Sequence, residues 1–431
     1  MKPRLRDLSI YVHIPFCKAK CSYCDFLSHA GCQYPEQRQY VNALCREIEA
    51  YKFISEEYRV QTIFFGGGTP SYIDADFICR ILETIQNVFD VAKDAEVTIE
   101  GNPDSLKPDK LIKYKKAGIN RLSIGLQSTN DDMLFRIGRI HNYNQFIEAY
   151  MGARQVGFDN INVDLMSGLP GENMDSYLGT LEKVVRLQPE HISAYSLSVE
   201  EGTPLSNNEE LLAVIPKEEE DRKMYARTKH FLKQGGYRRY EISNYAREGF
   251  ECRHNKVYWT GSEYLGVGLG AASYMMVWLD DEHCEKLRFH GVENIDEYIE
   301  RFMKCDGMRE NEYTEFFHFF EDEDGDSGNI TKYKSLEQNA LLEFIRDYYQ
   351  DLYFCKRKDE MEEFMFLGLR LMEGVSKEDF RSRFGVTMES VYGNIIGRYV
   401  EKELLAEEDG CLHLSDRGID VSNVVMAEFM L

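Results

Sequence analysis

Between residues 8 and about 200, six short β-rich apolar runs alternate with helical segments. The runs are "LSIYVHI" (8–14), "TIFFGGG" (62–68), "VTIEGN" (97–102), "RLSIGLQ" (121–127), "INVDLMSGLP" (161–170) and "HISAYSLSV" (191–199). Stretches such as "YVNALCREIEAYKF" and "DFICRILETIQNVFDV" between them carry apolar residues at the 3.6-residue period of a helix. Strand and helix alternating six times predict βαβ units and a parallel sheet, curved or closed. The informative residues cluster at the carboxyl ends of the runs, where parallel α/β barrels build their chemistry. Cys17, Cys21 and Cys24 follow the first run, Gly66 to Thr69 end the second, and Glu100 lies at the third. Gln127 closes the fourth and Asp164 lies in the fifth, so one face of one sheet collects them.

The 431 residues are 43% hydrophobic, enough for two or three domains with a large core. The amino terminus has basic residues without an apolar h-region, and no stretch approaches the ~20 apolar residues of a membrane span. Eleven cysteines without a signal predict reduced thiols and a cytoplasmic protein. Phosphate neutralisation needs clustered cations, so a net charge of −23 argues against nucleic acid and anionic membrane as partners.

"CKAKCSYC" puts three thiols in one tight loop. Zinc and iron–sulfur sites usually take four protein ligands, and no second C-x2-C exists to supply one. Either His13 or His29 completes a Cys3His zinc site, or a [4Fe–4S] cluster keeps one iron open for a further ligand. Glycines at the end of a parallel strand, as in "GGGTP", let backbone approach a ligand closely. Tyr11 and His13 share one face of the first strand by alternation.

C-x3-C-x-aromatic-C, here with Tyr23, resembles the signature of the radical S-adenosylmethionine (SAM) superfamily. The resemblance implies a partial (β/α)6-type radical SAM barrel, a [4Fe–4S] cluster on Cys17, Cys21 and Cys24, and SAM as the missing fourth ligand. It implies one-electron cleavage of the sulfonium to a 5′-deoxyadenosyl radical. It also implies SAM contacts at Tyr11, Tyr23, Gly67, Gly68, Thr69, Glu100, Gln127, Arg139 and Asp164.

Over nearly the whole chain the resemblance narrows to the coproporphyrinogen-dehydrogenase-like branch, through "YVHIPFCKAKCSYCDF", "FFGGGTPSYI", "RLSIGLQS", "INVDLMSGLPGE" and the "LSDRGIDVSNVVMAEF" tail. That branch holds oxygen-independent coproporphyrinogen III oxidases and HemW-type heme chaperones. The oxidases carry a further cysteine where this chain has Phe26, and they extend well upstream of the first strand. The chaperones carry H-N-x-x-Y-W, matched here by His254-Asn255-Lys256-Val257-Tyr258-Trp259. The resemblance therefore implies a heme chaperone that binds heme and hands it to an acceptor protein, with a homodimer among the assemblies to expect. The alternative is a porphyrin-biosynthetic enzyme, the radical SAM oxidative decarboxylation of coproporphyrinogen. A histidine nitrogen is a standard axial ligand for heme iron, and Tyr258 and Trp259 offer flat apolar area to a porphyrin. Cys252 is a second heme-directed candidate.

Two departures stand out. Gly270-Ala271-Ala272-Ser273 lacks a histidine often found in the branch, and the acidic segment 306–358 has no counterpart in its pattern. Asp322, Asp324 and Asp326 do not make a calcium loop, since Ser327 and Tyr333 replace the glycine and the bidentate glutamate. His283, Cys284 and His290 match no metal-site spacing. The expected organisation is a barrel over 1–230, an aromatic-rich extension over 231–305, the insertion over 306–358 and a winged-helix-like module over 359–431. The module has 7 basic against 16 acidic side chains, which suits a structural role rather than DNA reading.

Overall fold

The computed structural model describes residues 5–278, 284–304 and 341–430. His283 and most of the acidic segment, with Asp322, Asp324 and Asp326, lie outside the described residues.

One twelve-stranded sheet organises the chain. Its centre is β1 (Arg6–Ile14), β2 (Tyr58–Gly67), β3 (Asp90–Gly101), β4 (Arg121–Gln127), β5 (Ile161–Ser167) and β6 (His191–Ser196). These six pair in parallel, each with the next, and form an open partial barrel. All seven residues of β4 are buried, and its sequence alternates: Leu122, Ile124 and Leu126 enter the apolar core, while Arg121, Ser123 and Gln127 share the other face.

Beyond β6 lie β8 (Asn244–Ala246) and then β7 (Arg238–Arg239), both antiparallel. On the other flank, β9 (Tyr264–Val267) pairs in parallel with β1, Ser9 opposite Tyr264. Three antiparallel strands extend it: β10 (Ala272–Trp278), β11 (Cys284–His290) and β12 (Gln350–Cys355). The first strand in sequence is thus an interior strand of the sheet.

Local signals account for the covering helices. The helix at Tyr143–Val156 starts on an Asn142–Gln145 capping box, and that at Met174–Leu187 starts on Asn173 and Ser176. Helix α1 (Tyr34–Ala50) turns Tyr40, Val41, Leu44 and Ile48 to the core. Its buried Glu47 accepts hydrogen bonds from the Gly268 amide (2.8 Å) and the hydroxyls of Tyr298 and Tyr349 (2.5 Å each). One carboxyl therefore ties α1 to three later segments.

Burial pushes Glu47 from the ordinary 4.5 up to about 7, against the opposing pull of those three donors. The folded chain then binds more protons than the unfolded chain between these values. Stability therefore falls as pH rises from about 4.5 to about 7, by ~3 kcal/mol from this group. Glu47→Gln keeps the shape and removes the titration. Urea midpoints between pH 5 and pH 8 are expected to lose most of this slope in the variant, and an unaltered slope would place the titration elsewhere.

A separate apolar core lies in the carboxyl-terminal part, built on Met365, Phe380, Phe384, Tyr392 and Phe429. Helices at Lys377–Phe384 and Met388–Glu401 precede a hairpin of Leu405–Glu408 and Cys411–Leu414. This is a helix–helix–hairpin module of winged-helix type. Asp409 and Gly410 both have positive φ (50° and 80°), as a tight hairpin of right-handed twist requires.

Candidate functional site

The carboxyl ends of β1 to β6 surround an open cavity of about 510 Å³, within the ~300–1,000 Å³ range of small-molecule sites. Cys17, Cys21 and Cys24 line one side of it. The loop that carries them is fixed by backbone: Cys24 N–H donates to Cys21 O (3.3 Å), and Ser22 N–H to Ile137 O (3.0 Å). Burial raises the thiols of Cys17 and Cys24, with Thr69 Oγ1 3.5 Å from Cys17 Sγ. Arg139 Nη1 stands 3.6 Å from Cys21 Sγ.

The second strand ends against this loop. Gly68 N–H donates to Ile14 O (2.9 Å) and Thr69 N–H to Phe16 O (2.9 Å). A Cβ at Gly68 would sit 3.0 Å from Cys17 Sγ, so only glycine lets the strand end lie beside the triad. Asn102 Nδ2 donates to Thr69 Oγ1 (3.2 Å), and Arg139 Nη2 donates to Asn102 Oδ1 (2.7 Å) and to Gly125 O. Thr69, Asn102 and Arg139 thus form one hydrogen-bonded rim.

Glu100, Gln127 and Asp164 face the same cavity. Gln127 adopts a left-handed backbone, φ 68°. Asp164 accepts from Asn162 Nδ2 (2.7 Å) and Ser123 Oγ (3.1 Å). Burial, reinforced by Asp164, pushes Glu100 up to about 8. Tyr23 packs on Met133, Ile137, Met166 and Leu169 while also facing the cavity.

The structure therefore brings Tyr23, Gly67, Gly68, Thr69, Glu100, Gln127, Arg139 and Asp164 to one cavity with the three cysteines. Tyr11 is set apart. It lines a smaller adjoining cavity of about 220 Å³, with its hydroxyl 3.1 Å from His13 Nδ1.

The donor set fits a cluster better than zinc. Both nitrogens of His13 are engaged, Nε2 lying 2.9 Å from Leu27 O, and His29 does not line the cavity. No three His, Cys, Asp or Glu side chains among the described residues converge on a single ion. Thiolates that bind different irons of a cubane stand farther apart than ligands around one zinc. The cavity of about 510 Å³ beside the three thiols leaves room for a small-molecule ligand.

His254 lies on the helix Arg253–Thr260, packed on Thr62 and Phe64 of β2. It is 1% exposed and stacked on Phe64 with centroids 5.1 Å apart. Its Nδ1 is 2.7 Å from Thr62 Oγ1 and its Nε2 3.0 Å from the Tyr258 hydroxyl, so in this arrangement neither nitrogen is free. Burial, with Arg121 adding its charge, depresses its pKa to about 3 and keeps it neutral. Tyr258 joins it on the smaller cavity, but Trp259 does not. The indole instead packs under Arg370 at 4.3 Å, so Tyr258 and Trp259 do not form one flat platform. Cys252 is a buried thiol, raised to about 12, 3.5 Å from Glu96 Oε1.

Asn102 and Arg121 escaped the sequence reading. Both had a signal: Asn102 lies just past the end of β3, and Arg121 shares an alternating face with Ser123, Gly125 and Gln127.

Residues 11–184 match the radical SAM superfamily, and residues 356–421 match the HemN C-terminal domain. The heme chaperone HemW of Bacillus subtilis is 31% identical over 98% of this chain and 99% of its own length. That of Lactococcus lactis is 30% identical over 98% and 97%. The solved radical SAM coproporphyrinogen III oxidase HemN of Escherichia coli superposes with TM-score 0.76 at 20% identity, covering 99% of this chain and 90% of that one, a likeness of fold. Full-length identity to the chaperones, on a barrel whose cysteines and glycines converge on one cavity, places the chain in the HemW family of the radical SAM superfamily.

Proposed function

We propose that the chain binds heme and passes it to an acceptor protein, with a [4Fe–4S] cluster and SAM at the carboxyl face of the barrel gating binding or transfer. The observation that carries this reading is Phe26. In the position of the oxidases' additional cysteine, it stands 69% exposed and lines both cavities. An apolar ring there suits contact with a porphyrin face rather than ligation or proton transfer. The names of the full-length relatives support the same reading.

In this proposal Cys17, Cys21 and Cys24 hold three irons. Thr69 and Arg139 orient the ligand of the fourth, while Glu100, Gln127 and Asp164 hold the remainder of SAM. When bound, that pair supplies one-electron chemistry at a sulfonium. Burial and the neighbouring Asp164 push the Glu100 carboxyl up to about 8, and its protonated form can donate a hydrogen bond as well as accept one. Heme contact at His254 through Nε2 requires the Tyr258 hydroxyl, four residues on in the same helix, to swing off that nitrogen. The proposal includes an acceptor protein and a homodimer as the assemblies to look for. It also places the chain in the cytoplasm, in keeping with ten unpaired cysteines and no membrane-spanning helix among the described residues.

The test is anaerobic reconstitution with iron and sulfide, then heme titration with and without SAM. A cluster band together with a saturable Soret shift near one heme per chain is expected. His254→Ala is expected to change the heme spectrum or weaken binding while sparing the cluster. A cluster without any heme response, with deoxyadenosine formed from SAM and coproporphyrinogen, would overturn the chaperone in favour of an enzyme.

A further inference from the structure

The smaller cavity runs from the SAM-facing end toward the amino ends of β4 and β5. Its polar walls satisfy one another almost completely. Asn162 Nδ2 donates to Asp164 Oδ1 and, at 2.8 Å, to Ser123 Oγ; Ser193 Oγ donates to Asn162 Oδ1 (3.1 Å). His254 is engaged on both nitrogens.

Arg121 is the exception. Its side chain lines the cavity and is 2% exposed, yet no carboxylate of the described residues lies within 4.0 Å of it. Its Nε is buried without a hydrogen-bond partner. The neighbouring acids are spent on other donors. Glu96 takes the amides of Arg253 (3.1 Å) and His254 (3.0 Å), and Asp164 takes Ser123 and Asn162. Across the ladder, Thr98 is the register partner of Arg121, and its buried Oγ1 also lacks a hydrogen bond. Unpaired buried charges and hydroxyls are costly, and native interiors avoid them unless a ligand or water completes the site.

The shape indicates the ligand. A guanidinium presents a planar fork that matches a carboxylate bidentately. Tyr11, Phe64 and Tyr258 supply apolar wall for a short carbon skeleton. About 220 Å³ is too small for a tetrapyrrole, but the cavity opens to the larger one through a wall that includes Gly67, Glu100, Ser123 and Asp164, shared by both.

We propose that Arg121 forms a carboxylate-binding subsite on the floor of the barrel, with Thr98 beside it across the ladder. The carboxylate is either a small free acid or the propionate arm of a tetrapyrrole seated at the carboxyl face; the second source rests on the heme reading above.

Two probes separate the sources. The first is sodium propionate against sodium chloride at equal ionic strength, read by thermal midpoint and by hydrogen exchange of the β3–β4 amides. The second is heme against heme dimethyl ester, read by Soret titration. For a free acid, propionate raises the midpoint and slows exchange where chloride does not. For an arm, the diester binds at least ~10-fold more weakly than heme, the loss expected for a charge-assisted hydrogen bond. Either response must vanish in Arg121→Met. The responses are read against each variant's own apo midpoint, because Arg121 lies within electrostatic reach of Glu96 and Asp164 and its removal leaves those buried carboxylates less compensated. The subsite is overturned if propionate behaves as chloride and diester as diacid, or if the responses persist in Arg121→Met. If no heme binds at all, the chaperone reading fails and propionate alone decides the subsite.

Discussion

Alanine at Cys17, Cys21 or Cys24 is expected to abolish the visible absorption of the reconstituted cluster, each substitution alone sufficing. The cavity holds these three thiols and no other, so no neighbouring cysteine can take over the lost position. Cys32 and Cys45 lie on or near α1, and Cys252 is sealed against Glu96. Two of the three thiols are raised by burial and deprotonate on binding iron, which makes retention of a partial cluster on two ligands unfavourable. Iron and sulfide content per chain, measured beside the spectrum, checks the result. A variant that keeps the full signal would remove its cysteine from the ligand set.

Gly67→Ala is expected to cost about 2–5 kcal/mol of stability and to weaken SAM retention, combining a left-handed backbone with overpacking. Gly67 has φ +108°, and a Cβ there would lie 2.6 Å from the His13 ring. That ring is held at both nitrogens, by Tyr11 and by Leu27 O, so it cannot retreat without breaking a hydrogen bond. Gly157→Ala is the control: its φ is +97°, but nothing lies within 4 Å of the added Cβ, so only the backbone contribution of ~1–2 kcal/mol applies. Urea unfolding of both variants, with equilibrium dialysis of SAM, measures the difference. Equal losses in the two would mean that the packing against His13 is slack.

The parts of this site that sequence exposes are those written locally. Three thiols at fixed spacing, a glycine run at a strand end and an Asp-Gly turn each carry their geometry within a few residues. Environment is not written locally. His254 is legible as a residue type, but its saturation depends on Thr62, 192 positions away, and on the inward face of β2. Glu47 reads as an ordinary charged helix position, because its partners stand at 268, 298 and 349. Strand length fails for a similar reason. The third run was legible from 97, whereas β3 begins at Asp90 through "DVAKDAE", a polar stretch that an apolar pattern passes over. There Arg59 and Val60 of β2 pair with Asp90 and Val91 before the register shifts. Trp259 illustrates the opposite error: an aromatic residue beside a histidine need not share its cavity when the helix turns it toward Arg370, more than a hundred positions later.

The interior position of β1 bears on how this chain is made. Ser9 leaves the ribosome 255 residues ahead of its partner Tyr264. At ~5–20 residues per second that interval is roughly 13–50 s, during which β1 presents an open parallel edge that carries Leu8, Ile10, Val12 and Ile14. Such an edge pairs with whatever strand arrives, including that of another nascent copy. Production of soluble protein should therefore respond to translation speed and to holdase chaperones more strongly than the stability of the finished fold would suggest.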